Sequence, residues 1–155
     1  MKIKLLRGLL VVCVLGASSV YAQRTPVSII NYPNIPVATA SGKPIQAEQV
    51  KKAIQDAALK KGWTLASEAG DKLLATLVVR NKHTIIVEIV YSADKYSITY
   101  RDSVNMNYHK EGHYDSRLPS ARNAATAAQG PVIHPAYNTW VQEFKDAIRV
   151  ELTSA

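Results

Sequence analysis

The chain has 155 residues, one cysteine and a formal net charge of +7. That length supports one hydrophobic core but not two, and a lone cysteine excludes an internal disulfide framework. The basic residues form no run, which argues against the clustered stripe that nucleic-acid binding requires.

The first 22 residues read as an export signal. Lys2, Lys4 and Arg7 form a positive start, and Leu9 to Leu15 form an apolar core too short to span a bilayer. Gly16, Ala17, Ser18 and Ser19 relax the helix, and Val20 and Ala22 suit a small-x-small cleavage site, so the mature chain is expected to start at Gln23. Cleavage lowers the net charge from +7 to +4 by removing Lys2, Lys4 and Arg7. It also removes Cys13, leaving no thiol for a disulfide, a metal or a nucleophile. Lipidation of Cys13 is disfavoured, because Val12 stands where that chemistry requires a small residue. The expected address is the periplasm, with no transmembrane segment after signal removal.

Residues 23–44 carry Pro26, Pro33, Pro36, Pro44 and Gly42, a density that forbids a helix and predicts an extended lead-in. Residues 45–155 are expected to form a single α+β domain. A helix follows over Ala47 to Lys61, where Val50, Ala53, Ile54, Ala57 and Ala58 recur at helical spacing. Glu48 in its first turn and Lys60 and Lys61 in its last complement the helix dipole, and Gly62 reads as its C-cap.

From Trp63 to Tyr100 the hydrophobic period falls to two. Leu73, Ala75, Leu77 and Val79 share one face, as do Ile85, Val87, Ile89 and Tyr91, and then Tyr96, Ile98 and Tyr100. Turns at Ala69–Asp71, Asn81–Lys82 and Ser92–Lys95 predict an antiparallel meander. A last helix is predicted from Pro135 to Leu152, with Tyr137, Trp140, Val141, Phe144, Ile148 and Leu152 in one stripe. The expected fold is a two-layer sandwich in the order α-β-β-β-β-α: a four-stranded sheet with both helices on one face. Residues 104–134 read as a flexible insertion.

The stretches EQVKKAIQDAALKKGW, LLATLVVRNKHTIIVEIVY, YSITYRDSVNMNY and IHPAYNTWVQEF span most of residues 25–152. Together they resemble a family of small uncharacterised bacterial periplasmic proteins and lipoproteins, most specifically at Gly62-Trp63, at Arg80 with His83, at Tyr100 with Asp102-Ser103, and at His134-Pro135 with Tyr137-Asn138 and Trp140. The resemblance implies an exported domain and supplies no activity or catalytic residue. The chain departs from it by lacking a lipoprotein cysteine and by an insertion over about 110–131.

No catalytic motif stands out, and no cofactor is implied. His109, His113 and Asp115 with His134 are the only metal-ligand spacing, and it falls in a loop, where spacing says little. Ser103, His134 and Asp102 lack the nucleophile elbow and oxyanion hole of a hydrolase. Arg80, Arg101 and Asp102 fall at strand ends, where a surface salt bridge of little energy is the ordinary reading and binding of a carboxylate or phosphate the sharper one. His134, Tyr137 and Asn138 sit at a helix start, where backbone N–H groups can hold an anion; the same residues can equally anchor the helix. The outer sheet face is the strongest candidate. If Leu73 and its partners face the helices, Leu74, Val78, Ile86 and Val90 face away; such a patch reads either as a contact with an envelope protein or a second copy, or as a face that residues 25–37 cover or that Thr, Glu and Arg neighbours break up. The alternative is a small ligand held between sheet and helices by Tyr91, Tyr96, Tyr100 and Trp140.

Overall fold

Gly62 is where helix gives way to sheet. It adopts the left-handed conformation, φ 75°, that closes an αL cap, and the N–H of Trp63 donates to the Ala58 carbonyl at 2.8 Å. The helix it closes is α1, Ala47–Lys61, as its apolar spacing predicts. At the other end, the Gln49 side chain accepts from the Gln46 N–H at 2.9 Å, satisfying a donor outside the helix. The computed structural model describes residues 25–112 and 130–154. The export signal with Cys13, and the tip of the insertion with His113 and Asp115, lie outside the described residues.

Four strands follow in a meander: β3 (Thr64–Glu68), β4 (Lys72–Val79), β5 (His83–Tyr91) and β6 (Lys95–Val104). The second helix, α2, is Ala136–Thr153. Leu73, Ala75, Ile85, Val87, Ile89, Tyr91, Tyr96 and Ile98 are buried in one cluster with Val50, Ile54 and Ala57 of α1 and Tyr137, Val141, Phe144 and Ile148 of α2. Both helices therefore seal the same sheet face, and the α+β layering holds. Trp63 stacks on Phe144 with ring centroids 4.7 Å apart, so the start of the sheet and the middle of α2 share one contact.

The four-stranded expectation needs correction. The main sheet has five strands, in the order β2 (Tyr32–Pro36), β6, β5, β4, β3. The added strand is β2, from the lead-in, and it pairs antiparallel with β6. Pro33 and Pro36 are tolerated because β2 is an edge strand, where a missing N–H need not interrupt a ladder on both sides. Earlier still, β1 (Val27–Ser28) pairs with β7 (Val132–Ile133) in a separate two-stranded sheet. The element order is thus β-β-α-β-β-β-β-β-α.

The ends of the predicted insertion are fastened. His109 bridges Val132, the His134 N–H donates to the Met106 carbonyl at 2.8 Å, and Met106, Val132 and Ile133 are buried. Burial of these three supplies core that no periodic run announced.

The β4–β5 hairpin turns on Arg80 and Asn81, with φ 54° and 51°, and the Lys82 N–H donates to the Val79 carbonyl at 3.1 Å. Two positive φ values define a type I′ turn, which suits Asn-Gly and strains Arg. Replacing the pair by Arg80→Asn with Asn81→Gly is expected to stabilise the fold by about 1 kcal/mol. A denaturation midpoint that fails to rise would contradict this turn assignment.

Candidate functional site

Strand alternation places four rows of side chains on the sheet face opposite the helices. They are Glu68–Lys72–Val90–Ser97, Ala66–Leu74–Glu88–Thr99, Thr64–Thr76–Ile86–Asp102 and Val78–Thr84–Val104. Among the described residues, nothing packs over these rows. Val78, Val90 and Val104 remain 54%, 41% and 55% exposed, while Leu74 and Ile86 are half-buried by their neighbours. The lead-in does not fold across this face; it extends the sheet sideways as β2.

A charged bar crosses the face. Glu88 on the central strand β5 lies 3.5 Å from the Lys72 ammonium on β4 and 3.6 Å from the Arg101 guanidinium on β6. Arg101 reaches it because β6 bulges there: Ile86 opposes Asp102 and Val87 opposes Tyr100, leaving Arg101 as the extra residue. Such exposed pairs add little stability, about 0–1 kcal/mol each. Their larger effect is to break the apolar surface into two parts, with Val90 on one side and Leu74, Ile86, Val78 and Val104 toward the other. Arg80 does not join this bar, since it occupies the β4–β5 turn.

The helix-start residues form a separate group on the other side of the sheet. Asn138 clamps the lead-in backbone: its Oδ1 accepts from the Ile30 N–H at 3.0 Å, and its Nδ2 donates to the Ser28 carbonyl at 2.9 Å. The Tyr100 N–H, next to the β6 bulge, donates to Asn31 Oδ1 at 2.8 Å. Tyr32 hydroxyl donates to Gln142 Oε1 at 2.6 Å, and the Lys145 ammonium sits 4.8 Å from the Tyr32 ring centre. The anchoring role weighed for Asn138 is therefore the one its hydrogen bonds serve. His134 Nδ1 accepts from the Ala136 N–H at 3.1 Å, and its ring lies 6.5 Å from that of His83. Tyr137 is buried, and the ring of Tyr100 meets it edge-on at 5.6 Å. Burial pushes the Tyr137 hydroxyl above the ordinary tyrosine range.

Tyr91 and Tyr96 belong to the packed core cluster, while Tyr100 and Trp140 lie partly buried against it. Tyr100 stacks on Tyr108 at 4.9 Å, and its hydroxyl lies 3.0 Å from Ser103 Oγ. Ser103 thus has a tyrosine for its neighbour, and the Asp102 carboxylate accepts from the Ser103 backbone N–H at 2.7 Å. Among the described residues, no group of three or more His, Cys, Asp or Glu side chains is arranged to hold a metal. No helix among them is long and apolar enough to cross a membrane.

Comparison with known proteins finds no matching family model, no matching curated protein and no matching solved structure.

Two outcomes follow from this geometry. Asn138→Ala removes two backbone clamps and is expected to cost about 1–2 kcal/mol. Amide exchange at Ile30 should accelerate with it, and unchanged exchange would show the clamp to be idle. The second concerns alkaline pH. Burial, reinforced by the Asp146 charge and opposed by Arg149, pushes the Tyr96 hydroxyl from 10.0 up to about 12. Its folded value lies above its unfolded one, so the stabilisation is whole below pH 10 and is lost as pH climbs toward 12. Stability should fall over that window, and less steeply in Tyr96→Phe. Parallel stability–pH curves for the two proteins would contradict it.

Proposed function

We propose that this chain is an exported, non-enzymatic binding domain whose open sheet face receives a protein partner, either another envelope protein or a second copy. The observation that carries this reading is the asymmetry of the sheet. One face is sealed by two helices, whereas Leu74, Val78, Ile86, Val90 and Val104 project from the other with no described segment above them. A sheet buried on one side ordinarily alternates apolar with polar residues. Here β4 and β5 carry apolar residues on both sides, and apolar surface left uncovered on either side of the charged bar is the kind of feature that marks contact sites. The charged bar of Lys72, Glu88 and Arg101 would give the contact its orientation, since charges set register and encounter more than affinity.

The periplasmic address and the family resemblance belong to the same proposal. They rest on the signal-like first 22 residues and on the quoted motifs. An exported chain that loses Cys13 with its leader carries no thiol into an oxidising compartment.

The test places a photo-crosslinking residue at Val78 and, as a control, at Leu59, which is 82% exposed on α1. A defined partner band is expected from the Val78 position in envelope extract, or a dimer of the chain itself, and not from Leu59. Ile86→Lys, a charge inserted into the same face, should reduce that band at least tenfold. Equal capture from both positions, or indifference to Ile86→Lys, would remove the open face from the account.

A further inference from the structure

The two edges of the main sheet are built differently. On β2 the edge is blunted: it holds Pro33 and Pro36, Asn34 at φ 50°, and a register shift between Tyr32 and Ile35. These are the devices by which natural sheets prevent edge-to-edge pairing. The other edge, β3, has none of them. Its sequence is Thr-Leu-Ala-Ser-Glu, its five residues pair with β4 in unbroken register, and Thr64, Ala66 and Ser67 are exposed. Among the described residues, nothing pairs with its outer side.

Charge at the two ends of β3 is complementary under a two-fold rotation. Lys61 precedes the strand, and Glu68 and Asp71 end it and turn from it. None of the three makes an ion pair among the described residues. We propose that β3 pairs antiparallel with β3 of a second copy, joining two five-stranded sheets into one. The register that pairs all five residues sets Ala66 opposite Ala66 of the copy, Thr64 opposite Glu68 and Leu65 opposite Ser67. Lys61, at the end of α1, and Asp71, in the β3–β4 turn, stand three residues outside the strand at opposite ends, so the rotation brings Lys61 of each copy to the end of β3 where Glu68 and Asp71 of the other lie. It also keeps inward residues opposite inward ones, so both helical layers stay on one side and the two open faces merge. The contact is independent of the open-face proposal, because it uses backbone groups and edge charges rather than the apolar rows.

Sedimentation velocity over a wide concentration range, in a Cys13→Ser background, tests it. The parent should show a concentration-dependent dimer. Lys61→Glu and Asp71→Lys should each weaken that dimer about fivefold, since each disturbs two symmetric exposed pairs. The double exchange, Lys61→Glu with Asp71→Lys, should restore it. Ala66→Cys should give a reducible cross-linked dimer on mild oxidation, because directly opposed Cβ atoms on antiparallel strands lie about 5 Å apart. A monomer at every concentration, singles that weaken without rescue in the double, or no Ala66→Cys cross-link would overturn the pairing. A dimer that ignores the charge exchanges but dissociates with Val78→Lys would assign self-association to the open face and overturn the edge pairing alone.

Discussion

The central pair of strands is apolar on both sides, and most of this molecule's architecture answers that constraint. In β4, Leu73 and Ala75 point one way and Leu74 and Val78 the other; in β5, Ile85, Val87 and Ile89 oppose Ile86 and Val90 in the same manner. Such strands suit a sheet covered twice. Cover on one side comes from α1 and α2, whose apolar stripes would themselves be exposed without the sheet. On that side the match is close: Phe144 lies on Trp63, and Ile54, Ile89, Ile98 and Ile148 are fully buried. On the other side the described residues supply no second layer.

Several features keep that second side compatible with water. Threonines at 64, 76, 84 and 99 alternate with the apolar residues. Glu88 holds Lys72 and Arg101 across the middle, and beside the β6 bulge the Tyr100 N–H donates to Asn31 Oδ1. The lead-in contributes by lengthening the sheet, and Asn138, Gln142 and Asn31 tie it to α2 and β6. These bonds join residues 69 to 110 positions apart, so the lead-in is fixed to both β6 and α2. The result is a sheet face of mixed apolar and charged side chains.

Elements governed by local rules were legible in the sequence. Helix α1 carries its periodicity, its dipole-matched ends and its capping glycine within sixteen residues, and the strands from β3 to β6 alternate between recognisable turns. What depended on distant partners was not. Strand β2 breaks the usual rule against proline and becomes a strand only because β6 offers an edge. Met106, Val132 and Ile133 join the core through pairings across the insertion, which leave no period in the sequence. Of the candidate site residues, Leu74, Val78, Ile86, Val90 and Arg101 do share one face, as alternation requires. Arg80 went to a hairpin turn. His134, Tyr137 and Asn138 lie on the helical side, where Asn138 is spent on backbone hydrogen bonds that no local pattern encodes.

On the function proposed above, the second sheet face is open in the free chain and covered when the chain meets its partner. Carbene footprinting of side chains reads this directly, first on dilute purified protein and then in envelope extract. The account predicts labelling of Val78, Val90 and Val104 comparable to Leu59 and Val150 in the free protein, and protection confined to the three sheet valines in the extract. Valines already protected in the dilute chain, or protection falling on the helical side instead, would contradict it.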